Sequence, residues 1–367
     1  MELNRSDLRT SANNMVMNPP RLAQDIQSQP ASLARVLQQQ CGPGLPALAQ
    51  AAKLLCSGKR VLITGMGASM CASIPLEIFL CSFGIEAVVV EAAELLHYRN
   101  KGYHDAVVLM VSRSGDSVEV VKLIDLMKGR LPIIGVTNEP CSTLSRKADI
   151  PLFVDSMADE MVAIQSYTGT LLTLHLLASS VANRLGKACE EMEPLLAGFS
   201  ELIDTNLEQL LSWDTFLDAA LPVYLLARGP SYASASEGAL LFNEIAKATA
   251  ISMPIGSFRH GLVELVDRNF RGLIFETDRR TRHLNLALAR EIAHFGGSVQ
   301  VIGPAQGNSE GWGWRTIPSV PEPLTPLFEI VPVQVAAMRL AQLRGVPLGV
   351  FRYVPQVAKD EATLNPG

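Results

Sequence analysis

Asp105-Ala-Val-Val-Leu-Met-Val111, followed at once by Ser112-Arg-Ser-Gly-Asp-Ser117 and the apolar-periodic stretch Val118–Lys128, decides the fold. A short, unbroken apolar run with three valines reads as a strand buried on both faces. The serine- and glycine-bearing turn then feeds a helix. The same unit recurs on either side. Arg60–Thr64 is a strand, Gly65-Met-Gly-Ala-Ser69 a tight turn, and Met70–Ser82 a helix. Ile85–Glu91, Leu131–Thr137 and Ile150–Val154 read as further strands, with helices at Glu94–Tyr98, Ser142–Ala148 and Ser166–Arg184. Strands alternating with helices predict a parallel sheet covered on both sides.

The pattern then repeats. A helix at Pro194–Leu211 bridges the halves, and strands are expected at Pro222–Ala227, Phe270–Glu276, Ser298–Ile302 and Thr316–Val320. Helices are expected at Thr281–Phe295 and at Pro326–Leu343, which Pro332 bends or delays. The fold class is therefore α/β, with two tandem three-layer αβα domains built on flavodoxin-like parallel sheets. Residues 1–45 read as an N-terminal arm, 46–196 as the first domain, 197–212 as a linker helix, 213–346 as the second domain and 347–367 as a non-helical tail. The arm is polar and proline-broken, with a helical stretch around Arg21–Gln40.

Composition excludes several classes. The 367 residues are 48% hydrophobic and 18% charged, with a net charge of −5 and no basic run, which argues against nucleic acid as a partner. No signal peptide is visible at Met1–Asn14, and the longest apolar runs look too short or interrupted to span a membrane. Cys41, Cys56, Cys71, Cys81, Cys141 and Cys189 form no C-x-x-C pair and read as reduced core thiols of a cytoplasmic protein.

Two turns invite an anion. Gly65–Ser69 stands between a strand and a helix, where free amides and the helix dipole favour negative charge. Glu91, ending the next strand, suits a dinucleotide fingerprint, but Met70 occupies the place of its third glycine. In Ser112–Ser117 three hydroxyls and a glycine suit a phosphate, while helix capping by Ser114 or Ser117 is the alternative. Both turns should open at the C-terminal edge of one sheet, where α/β proteins bind ligands. In the second half, Ser236–Val266 reads as a helix, a short crossing segment and a second helix start. Glu237, Leu241 and Glu244 share one helix face, and His260 follows in Arg259-His260-Gly261. A desolvated carboxylate and a histidine suit proton transfer on a carbonyl compound; a helix-end carboxylate and a packed histidine are the alternative.

In this order and spacing these residues resemble the double sugar-isomerase (SIS) domain proteins. That group includes the isomerase half of glucosamine-6-phosphate synthase, SIS-type glucosamine-6-phosphate deaminases and fructosamine-6-phosphate deglycases. The marks are Gly67–Ser69, Ser112–Ser117, Ser166-Tyr-Thr168, Arg228-Gly229, Ser236–Leu240 with Glu244, and His260-Gly261. The resemblance implies that Ser69, Ser112, Arg113, Ser114 and Ser117 clamp a sugar phosphate, with Arg113 where the family often has Gln. It implies that Glu244 moves a proton between C1 and C2. His260 would help open the sugar ring from the neighbouring subunit of a homodimer. Glu237 would hold nearby loop amides or helix ends beside the substrate, and Lys359 of the tail would enter the site. The synthase branch has Lys where this chain has Leu241, and its glutaminase domain is not seen before residue 46. The resemblance also implies no metal and no organic cofactor.

The six histidines are dispersed, which speaks against zinc, and His175 reads as a packed core residue. Asp155, Asp159 and Glu160 form an acidic bend, for which solvation is favoured over metal binding. Trp312 and Trp314, in a glycine-rich loop, read as a surface patch or a subunit contact. The sequence thus predicts a phosphosugar isomerase or deaminase acting through Glu244 on a ketose or amino-sugar 6-phosphate. The alternatives are a fructosamine-6-phosphate deglycase or a non-catalytic phosphosugar sensor.

Overall fold

Two five-stranded, all-parallel sheets carry the chain. The computed structural model describes residues 21–277, 279–304, 311–348, 350–353 and 357–362. The start of the expected arm (1–20) and Pro355 and Pro366 of the tail lie outside the described residues.

The first sheet has β1 (Arg60–Gly65), β2 (Ala87–Glu91), β3 (Ala106–Val111), β4 (Ile133–Thr137) and β5 (Ile150–Phe153), in the order β2-β1-β3-β4-β5. Every residue of β3 is buried, as a strand covered on both faces requires. The covering helices are α1 (Arg21–Gln40), α2 (Leu45–Leu55), α3 (Gly67–Ser82), α4 (Val118–Met127), α5 (Thr143–Lys147) and α6 (Gln165–Val181). α7 (Leu185–Ala197) and α8 (Phe199–Glu208) lead to the second half. There β6 (Val223–Ala227), β7 (Ala250–Pro254), β8 (Arg271–Phe275), β9 (Ser298–Pro304) and β10 (Gly313–Ile317) lie in the order β10-β9-β8-β6-β7. Renumbered from β6, this is the topology of the first sheet. Its helices are α9 (Tyr232–Ala246), α10 (Ile255–Arg259), α11 (Arg282–His294) and α12 (Thr325–Leu343). One apolar cluster runs from α1 through α6, α9 and α12 to both sheets, so the halves share a core.

Several expectations are corrected. The crossing segment within Ser236–Val266 is strand β7; it lies at a sheet edge and is only half-buried, so it shows no continuous apolar run. The last strand begins earlier than Thr316. Trp312 is buried in the bend just before β10, and the Trp314 indole, in the strand, donates to the Gly303 carbonyl at 3.2 Å, so the two do not form a surface patch. The bridging helix is two helices that meet at Gly198. α12 runs unbroken through Pro332. Glu322–Leu343 is in fact long and apolar enough to cross a membrane by length and composition, but its apolar stretch is buried inside the fold. The cysteines are not all reduced core thiols. Cys41 and Cys189, 148 residues apart, are joined by a disulfide where α1 and α7 pack side by side. Cys56, Cys81 and Cys141 are exposed, and Cys71 is the buried thiol among the described residues.

Candidate active site

The chain leaves β1 toward β2 on one side and returns through β3 on the other. Their C-terminal turns diverge, which opens a crevice at the point where strand order reverses. Gly67 and Gly115 hold φ of +49° and +63°, a region that side-chain-bearing residues avoid. A Cβ on Gly115 would also come within 2.3 Å of the Ser142 hydroxyl. The turn after β3 is tightly held. The Ser112 hydroxyl accepts from the Gly115 amide at 3.1 Å, and the Ser114 hydroxyl accepts from the Asp116 amide at 3.3 Å. Asp116 accepts from the Thr143 amide at 2.9 Å. Neither α3 nor α4 has a side-chain N-cap, so Ser117 does not cap α4. Instead the first amide of α4, on Val118, donates to the Ala358 carbonyl of the tail at 3.0 Å.

The crevice is a cleft of ≈ 280 Å³. Ser69, Ser112, Arg113, Ser114 and Ser117 line its floor, and Glu244 lines it from α9. Residues from both halves therefore face one cavity. α9 packs directly on α3 of the first half, and Gly238 seats it on its own half: a Cβ there would lie 2.6 Å from Leu225 and 2.7 Å from Val333, so α9 sits tightly between β6 and α12. Leu240, one turn before Glu244, joins the same wall. Burial pushes the Glu244 carboxyl up to about 7, while the charges of Lys247 and Arg113 hold it down. A carboxyl poised there can both take and return a proton near neutrality.

Other expected residues lie elsewhere. Glu237 is buried beneath the cleft and does not line it. It holds no loop amides: the side chain that bears on it by hydrogen bonding is the Cys71 thiol, which works against the rise in its pKa. Burial, then the charges of Glu244 and Asp159, push it well above the usual carboxylate range. Leu241 is fully buried and offers no charge. His260 is exposed beyond α10, and Lys359 is exposed beside the cleft, whose tail wall is Phe351, Val357 and Ala358. A hydrogen bond from Thr143, with smaller contributions from Arg146 and Lys359, lowers the Asp116 pKa.

The acidic bend proves to be a support for this wall. Asp159 accepts from the Gln165 and Ser166 amides at 2.7 and 3.1 Å and from the Ser166 hydroxyl, which fixes the start of α6 and its cleft residues Ser166, Tyr167 and Thr170. Helix α1 braces the same loop: Ser32 accepts from the Met157 amide and Asp25 from the Glu160 amide, at 2.9 and 3.0 Å, and Arg35 pairs with Asp155. The sequence signal for Asp159 was faint, because its partners lie six and seven residues ahead, beyond ordinary capping distance. Among the described residues no group of three or more His, Cys, Asp or Glu side chains could hold a metal.

The sequence model of the SIS domain matches residues 53–180 and again 217–343. The glutamine–fructose-6-phosphate aminotransferase (isomerizing) of Pyrococcus horikoshii is 28% identical over 302 residues, which cover 80% of this chain and 50% of that protein. The chain spans about half the length of the curated relatives it matches. The C-terminal domain of glucosamine-fructose-6-phosphate aminotransferase from Francisella tularensis superposes with a TM-score of 0.79 at 19% identity, covering 90% of this chain and 97% of that one. Glucosamine-6-phosphate deaminase from Thermotoga maritima gives 0.73 at 19% identity, covering 93% and 100%. The paired parallel sheets are thus those of a known fold.

Proposed function

The chain belongs to the SIS domain family, and from that premise we propose that it is a sugar-phosphate isomerase or aminosugar-phosphate deaminase. Its substrate is a ketose or amino-sugar 6-phosphate of the fructose 6-phosphate or glucosamine 6-phosphate type. The observation that carries this reading is that Ser114 and Glu244 line one cleft. The phosphate docks on the hydroxyls of Ser69, Ser112, Ser114 and Ser117 and on the amides at the start of α3, with Arg113 adding charge. The sugar then reaches toward α9 with its carbonyl end. Glu244 takes the proton from one of C1 and C2 and returns it to the other through an enediol-type intermediate. With Leu241 uncharged, Lys247 and Arg113 are the cations that keep Glu244 from rising further.

His260 opens the sugar ring from the neighbouring subunit of a homodimer, which accounts for its exposure in the single chain. Lys359 steadies the developing charge from the tail. A non-catalytic sensor is the second reading, and buried Leu241 favours it. Deuterium incorporation from heavy water at C1 of the ketose phosphate or C2 of the aldose phosphate separates the two. Incorporation that Glu244→Gln abolishes supports the enzyme; none with a bound ligand supports the sensor.

A further inference from the structure

Glu329, on α12, is a carboxylate sealed in the interior of the second half. Three hydroxyls hold it. Ser231 and Thr277 donate to one of its oxygens, and Ser234 donates to the other at 2.7 Å. The neighbouring acid, Glu276, pairs with Arg282. The donors belong to the two turns that leave the middle of the second sheet. Ser231 lies in the turn after β6, Ser234 in the first turn of α9, and Thr277 two residues past β8.

This placement repeats the first half position by position. β6 and β8 are to the second sheet what β1 and β3 are to the first. Gly67 and Gly229 each stand two residues past the strand, with φ of +49° and +56°. Ser69 and Ser231 each follow two residues later. α12, after the last strand, is the counterpart of α6, which lines the first cleft with Ser166 and Thr170. Hydroxyls therefore converge at the mouth of both sheets. In the second, a carboxylate of the chain's own already sits among them, where it takes the hydroxyl hydrogen bonds an anionic ligand would take.

We propose that Glu329 is a built-in anion: it fills the second half's anion site and, by doing so, positions α9. The likeness to the first cleft rests on the phosphate docking proposed above; the hydrogen bonds to Glu329 do not. With this crevice filled, each chain holds one sugar phosphate rather than two. Ser231 and Ser234 start the helix that carries Glu244, so the carboxylate ties the entry of α9 to α12 and to the turn after β8. Glu329 does not line the cleft, and acts on the reaction only through the placement of Glu244.

Glu329→Ala in the full chain tests this, because it empties a space for a small carboxylate among the three hydroxyls. Sodium formate should raise the melting temperature of the variant by about 2–4 °C over sodium chloride at equal ionic strength, and should not do so for the wild type. In deuterium exchange with fructose 6-phosphate, kcat of the variant should fall by about 10–100-fold while KM is retained, and formate should restore part of the loss. Glu329→Gln keeps the volume and one acceptor; it should show the same split between kcat and KM, and it carries the test if the alanine variant does not fold. A folded Glu329→Ala without a formate response overturns the built-in anion. Wild-type kcat in either variant, or a loss confined to KM, overturns the positioning role. A formate response in the variant beside a wild type that exchanges no deuterium supports the built-in anion and overturns the isomerase reading alone.

Discussion

Glu244→Gln is the most informative perturbation. The carboxyl has a pKa of about 7, so about a tenth of the molecules carry the charged base at pH 6 and about nine-tenths at pH 8. A reaction that needs the charged form therefore gains about tenfold in kcat/KM per pH unit below 7 and levels off above it. Glutamine keeps the shape and loses the base, so proton transfer should fall by about 10²–10⁴-fold at pH 8. Sugar-phosphate affinity should be retained. Stability supplies an internal control. The folded-state pKa lies above the ordinary 4.5, so the native state binds more protons than the unfolded chain between about 4.5 and 7. Stability from this group is full at low pH and is lost as pH rises through about 7. Glutamine never charges, so above pH 7 the variant should be more stable than the wild type by on the order of 1–3 kcal/mol. Arg113→Met, which removes a charge that favours the carboxylate, should move the acid limb to higher pH. The assays are deuterium incorporation at C1 of the ketose phosphate or C2 of the aldose phosphate by NMR across pH 5–9 and urea unfolding of the same samples. Undiminished turnover in the glutamine variant, or an acid limb at the ordinary carboxylate pKa, would refute the reasoning.

Ser114→Ala should weaken fructose 6-phosphate binding by about tenfold, read by calorimetry, as one phosphate hydrogen bond is lost; unchanged affinity removes Ser114 from the clamp. If His260 serves the neighbouring subunit, a mixture of Glu244→Gln and His260→Ala chains, each inactive alone, should recover about one-quarter of wild-type activity in hybrid dimers. No recovery on refolding the mixture contradicts a shared site. Gly115→Ala combines a left-handed backbone with a Cβ placed 2.3 Å from the Ser142 hydroxyl, and should lose about 2–4 kcal/mol in urea unfolding. Reducing Cys41–Cys189 releases α1 from α7 and should lower stability by about 2–4 kcal/mol, with Cys189→Ser insensitive to reductant.

Much of the site was legible because its parts are local. The turn Ser112–Ser117 announces itself by following an apolar run, and its glycine is required by both φ and Ser142. Glu244 was visible as a charge on an apolar helix. Glu237 looked similar, yet it sits a turn deeper and is sealed from the cleft, which helix spacing could not show. Strand β7 escaped because an edge strand buries little and leaves a weak pattern.

The sequence by itself determined the alternation of strands and helices, their repetition in two halves, and the chemistry of the two serine turns. These are local matters of periodicity, turn geometry and side-chain type. Only the tertiary structure decided that α9 of one half closes on the serine turns of the other, that α1 braces the cleft wall, and that Cys41 meets Cys189. Those outcomes depend on how helices pack across a shared core, where α9 rests on α3 of the other half, and no local pattern along the chain encodes such distances.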